Sequence, residues 1–163
     1  DHFTYLRDTP ANAEVILGDA RIVLERERAA TGSQDFDLLV MDAFSSDSIP
    51  MHLLTRESFE LYTSHLSDQG VLAVNISNNY LNLAPVVRRL GKELELTSRL
   101  IEYRPGPDEV GQLANNWIVL ARDPAFFETP ELAKSLTPWP KEMPDLLWTD
   151  DFGSLWSILS FSR

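Results

Sequence analysis

The chain has 163 residues, a hydrophobic content of 44% and a net charge of −11 at pH 7. This length supports one hydrophobic core, so we expect residues 1–163 to form a single domain. The negative charge argues against nucleic-acid binding, which needs clustered Lys and Arg, and it is compatible with cationic ligands. The chain has no cysteine, which excludes disulfides and thiolate metal sites.

The first third of the chain predicts two strands with a helix between them. Glu14–Leu17 is interpreted as a short strand that ends at Gly18 and Asp19, and Asp19 is expected to be the N-cap of the following helix. Phe36–Met41 is an apolar run that predicts a strand buried on both faces. Ligands of open α/β sheets collect beyond the carboxyl ends of such strands, so Asp42 stands where a ligand would lie.

The middle of the chain continues the alternation of helices and strands. Thr55 is predicted to cap an amphipathic helix that is closed by Gly70, with one apolar face formed by Phe59, Tyr62 and Leu66. A helix starting near Pro85 is expected to bury Val86, Val87, Leu90 and Leu94. The other predicted strands are Val71–Ile76, Ser98–Tyr103 and Trp117–Ala121. This order implies an α/β fold with a largely parallel sheet and right-handed crossovers.

The last forty residues predict little regular structure. The Pro-rich segment 123–147 is interpreted as an ordered surface wrap with one short helix near residues 130–135. A final helix is expected to have Asp150 and Asp151 as its capping residues. The side chains expected to pack it on the fold are Leu155, Trp156 and Leu159.

The three histidines and the apolar runs also bear on the class of protein. His2, His52 and His65 lack metal-ligand spacing, so each is interpreted as a surface or packing residue and no metal is predicted. No stretch approaches the roughly 18 apolar residues of a membrane span, and no secretory leader heads the chain. We therefore expect a cytoplasmic protein, or the cytoplasmic domain of a membrane protein whose membrane segment lies outside this chain.

Acids and amides gather after the predicted strands. Asp42 and Asp47 follow one apolar strand, whereas Asn75, Asn78 and Asn79 lie at the end of the next strand and beyond it. Two neighbouring carboxylates at a strand end favour a functional site, and the amides could bind an amine. The alternative is that these residues only form turns or helix caps.

Three stretches resemble the spermidine synthase family of aminopropyltransferases, and in particular its bacterial branch fused to membrane segments. They are Gly18-Asp19-Ala20-Arg21, Asp42 to Pro50 and Gly70 to Asn79. The resemblance covers only the C-terminal part of such enzymes. It implies a Rossmann-like sheet of the S-adenosylmethionine-dependent methyltransferase type, truncated at its N-terminal half, with this chain as the C-terminal portion of the domain.

The resemblance also implies roles for particular residues. Asp42 would accept the proton of the attacking amine. Decarboxylated S-adenosylmethionine, or S-adenosylmethionine, would be the co-substrate, contacted by Gly18, Asp19, Ala20, Asp42 and Ala43. A polyamine would be the second substrate, contacted by Asp47, Asn79 and Tyr80. The Gly-rich turn and the ribose-binding acid of the family have no counterpart here, so the isolated chain is expected to be inactive.

Two other functions stay open at this stage. One is an S-adenosylmethionine-dependent methyltransferase, which shares the sheet and the Gly-Asp contact with adenosine. The other is a non-catalytic remnant that binds a ligand or a partner. Because the Glu14–Leu17 strand would lack the strands that separate it from Phe36–Met41 in the family, we also expect open sheet edges to pair in a homodimer.

Overall fold

In a computed structural model, described for residues 4–43, 50–78, 80–109 and 111–159, four strands form one sheet flanked by helices. The helices are α1 (Tyr5–Asp8), α2 (Ala20–Thr31), α3 (Arg56–Ser64), α4 (Ala84–Glu93) and α5 (Pro130–Ala133). The strands are β1 (Phe36–Met41), β2 (Leu66–Asn75), β3 (Thr97–Tyr103) and β4 (Asn115–Ala121). Short 3-10 helices cover Met51–Leu53, Pro124–Glu128 and Leu155–Ile158. No helix within these ranges is long and apolar enough to cross a membrane.

The strands are ordered β1-β2-β4-β3, and this mixed α/β sheet confirms the predicted Rossmann-like fold class. β1 pairs with β2 in parallel, whereas β4 is antiparallel to both of its neighbours. Three strands thus share one direction, and β4 is inserted between β2 and β3 in the opposite sense. The reason is local: the described residues between β3 and β4 form no helix, and a short connection of this kind allows only antiparallel pairing.

The predicted strand Glu14–Leu17 does not form. These residues have no regular secondary structure, and the side chains of Val15, Ile16 and Leu17 are 62%, 52% and 91% exposed. A short apolar run becomes a strand only when another strand pairs with it, and no strand in the described part of the chain does so. The prediction was wrong because β propensity alone cannot supply a partner.

Strand β1 is less buried than its sequence predicted. Met41 is buried, but Leu38 and Val40 are 58% and 53% exposed. In the described chain β1 has β2 as its one neighbour, so it is an edge strand with an open backbone edge. The expected burial on both faces is therefore wrong.

Helices α3 and α4 pack on one face of the sheet, as their apolar faces predicted. Thr55 is the N-cap of α3, because its hydroxyl oxygen accepts a hydrogen bond from the Ser58 N–H at 3.3 Å. Phe59 and Leu90 are fully buried, and they lie in one core with Leu72 and Ile118 of the sheet. Both helices thus hold the strands whose ends form the candidate site.

Gly70 does not close α3. The helix ends at Ser64, His65 is its C-cap and β2 begins at Leu66. Gly70 lies inside β2, where the register between β1 and β2 shifts. A Cβ atom at Gly70 would lie 2.5 Å from the Phe36 carbonyl oxygen, so close backbone approach explains the glycine.

The first part of the Pro-rich segment covers the opposite face of the sheet, whereas its later part packs against the first core through Trp139, Met143, Leu146 and Leu147. Phe127 is buried in a second core with Val71 and Val119, and α5 is the short helix predicted there. Beyond α5, the Thr137 N–H donates a hydrogen bond to the Leu100 carbonyl at 2.7 Å. The segment is thus an ordered wrap that also contacts the outer edge of β3.

The C-terminal end of the described chain differs from the prediction. The final element is a 3-10 helix in which Ile158 is buried, whereas Trp156 is 84% exposed and Leu155 40% exposed. Its N-cap is Ser154, so neither Asp150 nor Asp151 caps it. Packing through Ile158 alone follows from the shortness of the element, which presents a single side chain to the core.

Candidate functional site

Asp42 and Asn75 meet at the carboxyl edge of the sheet. Met41 of β1 is paired with Val74 of β2 in parallel register, so the residues that follow both positions emerge side by side. The Asn75 amide Nδ2 donates a hydrogen bond to Asp42 Oδ1 at 2.7 Å. In the sequence both residues come directly after apolar runs, and the structure brings them into contact.

Further polar groups extend from this pair towards β4 and β3. The Ser77 N–H donates to Asn75 Oδ1 at 2.8 Å, and the Asn116 N–H donates to Ser77 Oγ at 2.9 Å. Arg104 Nη1 then donates to Asn116 Oδ1 at 2.7 Å. Because β4 is antiparallel, it is the start of this strand that reaches the edge. A continuous line of hydrogen bonds therefore crosses the edge of all four described strands.

An open cavity of about 470 Å³ lies beside Asp42. Four of the residues predicted to contact an adenosyl group line it: Gly18, Ala20, Asp42 and Ala43. Most of the remaining lining is apolar and comes from α2 and β1, but two further carboxylates, those of Glu14 and Glu27, also line the cavity. Cavities with apolar walls and a few polar groups at one end are typical of small-molecule sites.

Asp19 is committed to contacts within the protein. Its Oδ1 accepts a hydrogen bond from the Ile22 N–H at 3.1 Å, which makes it the N-cap of α2, and its Oδ2 lies 2.8 Å from His52 Nε2. These two hydrogen bonds, first from Ile22 and then from His52, lower the pKa of Asp19 below its usual value. Asp19 is not among the residues that line the cavity. Its predicted capping role is confirmed, whereas its adenosyl contact stays a prediction.

Of the three residues predicted to hold the polyamine, only Tyr80 belongs to the described chain, and it is not among the residues that line the cavity. Asp47 and Asn79 lie outside the described residues. Tyr80 is 58% exposed, and its N–H donates to Asn78 Oδ1 at 2.9 Å in the turn after β2. The contact of these side chains with an amine remains a prediction.

Sequence reasoning missed an ion-pair cluster next to this site. Arg21 donates two hydrogen bonds to the Asp150 carboxylate, at 2.7 and 2.6 Å, and Thr55 Oγ1 donates a third at 2.8 Å. The Arg21 hydrogen bond is the main reason that the pKa of Asp150 falls to about 2, and Asp150 correspondingly raises the pKa of Arg21. Arg21 and Asp150 are 129 positions apart, so no local pattern could have predicted the pair.

At the carboxyl edge of the sheet, the group available for chemistry is the Asp42 carboxylate. No cluster of three or more metal-ligating side chains occurs in the described ranges. A carboxylate beside an apolar cavity can hold a cationic group or accept a proton from a bound nucleophile. In this structure the Asp42 carboxylate is held by the hydrogen bond from Asn75.

Comparison with known proteins shows partial similarity to several transferases. No family model matches the chain. It is 30% identical over 113 residues to an N-terminal histidine N-methyltransferase of Emericella nidulans, which covers 69% of this chain and 20% of that protein. It is 41% identical over 64 residues to a polyamine aminopropyltransferase of Vibrio vulnificus, which covers 39% of this chain and 21% of that protein. The chain thus spans about one fifth of the length of these curated relatives.

Solved structures show the fold. The spermidine synthase of Thermotoga maritima matches with a TM-score of 0.54 at 14% identity, over 91% of this chain and 47% of that protein. A spermidine synthase in complex with the transition-state analogue AdoDATO matches with a TM-score of 0.51 at 15% identity, over 89% of this chain and 45% of that protein. The predicted resemblance to spermidine synthases and the predicted fold are confirmed, and the match extends over about half of these enzymes.

Proposed function

From the spermidine synthase fold of the chain we propose that it is part of an aminopropyltransferase, which moves an aminopropyl group from decarboxylated S-adenosylmethionine to a polyamine. The observation that carries the proposal is the Asp42 carboxylate, which lies at the end of β1 beside the cavity and accepts a hydrogen bond from Asn75. The matched stretch of the Vibrio vulnificus polyamine aminopropyltransferase supports the same function.

The proposed reaction is a nucleophilic displacement. The unprotonated amine nitrogen attacks the aminopropyl carbon bonded to the sulfonium, a C–N bond forms and the C–S bond breaks. The electron pair of the broken bond goes to sulfur and leaves neutral methylthioadenosine. The surplus proton of the amine passes to Asp42, which then releases it to water. Because positive sulfur is already a good leaving group, the protein contributes mainly alignment.

The ligands are assigned to the two sides of Asp42. The adenosyl group would occupy the cavity against Gly18, Ala20 and Ala43. A hydrogen bond from adenosine to Asp19 would have to share the carboxylate with His52 and the α2 N-terminus. The amine would lie on the outer side, where Asp47, Asn79 and Tyr80 are proposed to contact it. Because salt screens charges beyond about 8 Å, a cationic substrate would be attracted by the carboxylates near the site and little by the net charge of −11.

The active protein is proposed to extend beyond these residues. The chain matches less than half of each solved spermidine synthase, so residues 1–163 are proposed to be the C-terminal portion of the catalytic domain and to be inactive alone. We place that domain in the cytoplasm, either free or joined to membrane segments.

Substituting Asp42 tests the proposal. In the longest natural form of the protein, Asp42→Asn is expected to lower the rate of aminopropyl transfer about 100-fold or more, because the proton acceptor is lost. In calorimetry, Asp42→Asn and the unsubstituted protein should bind methylthioadenosine with nearly the same affinity. Asp37→Asn is the matched control, since Asp37 lies in the same strand and its carboxylate contacts Ser67 instead. Near-normal turnover of Asp42→Asn would remove Asp42 from the proposed role.

A methyltransferase is the second candidate function. The 113-residue match to an N-terminal histidine N-methyltransferase favours it, because that match covers more of this chain than the aminopropyltransferase match does. Transfer assays with S-adenosylmethionine and its decarboxylated form, each isotopically labelled in the transferable group, separate the two reactions. Transfer from neither donor would instead support a non-catalytic protein.

A further inference from the structure

We infer that Asn75 is a positioning residue, which aims the Asp42 carboxylate at the amine through its side-chain amide. The inference rests on the proposed function, because it gives Asn75 a role through Asp42. It also assigns to Asn75 a task other than contact with the substrate.

The orientation of the Asn75 amide is fixed by its second contact. A side-chain amide can be placed in two ways that differ only in the exchange of oxygen and nitrogen, and hydrogen bonds decide between them. The Ser77 backbone N–H can only donate, and it lies 2.8 Å from Asn75 Oδ1. The nitrogen must then face Asp42, where it donates to the carboxylate at 2.7 Å.

The two residues differ in how firmly the fold holds them. Asn75 is the last residue of β2, it is partly buried, and it is paired with Trp117 of β4. Asp42 is exposed and follows an edge strand. The Asn75 amide, which is fixed in β2, therefore restricts the orientation of the Asp42 carboxylate, which the edge strand β1 holds less firmly. Asp42 Oδ1 accepts the hydrogen bond from Asn75, so Asp42 Oδ2 is the oxygen that would receive the proton of the amine.

This arrangement predicts an effect on turnover rather than on substrate binding. A hydrogen bond from a neutral donor to a charged acceptor corresponds to a change of about 10- to 100-fold. If that bond aligns the proton acceptor, its loss lowers kcat by about this factor and leaves KM within about twofold.

Two substitutions at Asn75 separate positioning from a structural role. Asn75→Asp keeps an oxygen for the Ser77 N–H and removes the donor to Asp42. Asn75→Leu removes the donor without adding a charge. The matched control is Asn82→Asp, because Asn82 lies nearby in the chain, its Oδ1 accepts a hydrogen bond from the Ala84 N–H at 3.2 Å, and the same charge is added. We expect kcat to fall about tenfold or more in both Asn75 variants and to stay within about twofold in the control.

A measurement independent of activity tests the contact itself. In the 163-residue chain, the side-chain amide signals of Asn75 in a nitrogen–proton NMR spectrum should shift on Asp42→Asn, whereas those of Asn78 should not. Unshifted Asn75 signals would overturn the inference.

The kinetic outcomes distinguish the two proposals. If Asp42→Asn is inactive and Asn75→Asp behaves like the control Asn82→Asp, then Asn75 does not position Asp42 and the proposed function stands. If Asp42→Asn retains normal transfer, then the proposed function itself is wrong. A fall in kcat confined to Asn75→Leu would show a structural role, since only that variant leaves the Ser77 N–H without its acceptor.

Discussion

Replacing Asp150 with Asn probes the ion pair that joins α2 to the C-terminal end of the described chain. In the folded protein the pKa of Asp150 falls from 3.8 to about 2, chiefly through its hydrogen bond from Arg21. At about 1.4 kcal/mol per pKa unit, this difference corresponds to about 2.5 kcal/mol. The Asp150 side chain is 41% exposed, so solvent screening reduces the expected contribution to about 1 kcal/mol.

The pH dependence of this contribution has a definite sign. Because folding lowers the pKa of Asp150, the stabilisation is complete well above its unfolded value and is lost as pH falls through its folded value. The window therefore runs from about pH 4 to about pH 2, and about half of the contribution should remain at pH 3.

Urea unfolding of the 163-residue chain measures both the stabilisation that Asp150 contributes and the pH range over which it is lost. Asp150→Asn should lower the free energy of unfolding by about 1 kcal/mol near pH 7 and by about half as much near pH 3. Asp151→Asn is the matched control, because the neighbouring carboxylate forms no ion pair with a described residue, and it should have no effect. An equal effect of the two variants, or an Asp150→Asn effect that does not change between these pH values, would refute the reasoning.

Two further predictions concern the sheet. Gly70→Ala should destabilise the chain by about 2 kcal/mol in thermal or urea unfolding, because the added Cβ atom would clash with the Phe36 carbonyl oxygen. Gly106→Ala is the control and should change the stability little. Equal effects of the two substitutions would contradict the close backbone approach at Gly70. A second copy is expected to pair with the open edge of β1, so light scattering should show a concentration-dependent dimer that Val40→Lys disrupts. A monomer at all concentrations would exclude this assembly.

The elements that were predicted correctly are those whose signals are local. Thr55 as an N-cap depends on residues within one turn, and the buried faces of α3 and α4 follow from helical spacing. Asp42 after β1 and Asn75 at the end of β2 were likewise placed by the apolar runs that precede them. Parallel pairing of those runs then brings the two side chains together, which the fold class already implied.

The elements that were missed depend on distant partners. The run Glu14–Leu17 has the composition of a strand but lacks a strand to pair with in the described chain. Asp150 has the appearance of a helix cap, yet its carboxylate is bound by Arg21 from the other end of the sequence. The hydrogen bond between Ser77 and Asn116 needs the reversed direction of β4, which periodicity does not reveal.

The two edges of the sheet, β3 and β1, differ in whether other residues cover them. This difference determines at which edge a further strand can pair. On the outer side of β3, the Thr137 N–H binds the Leu100 carbonyl and Thr137 Oγ1 accepts from the Glu102 N–H. The neighbouring Pro138 and Pro140 have no N–H to offer an incoming strand. Within the described chain, no residues cover the outer edge of β1 in this way. A strand added to this sheet must therefore pair with β1.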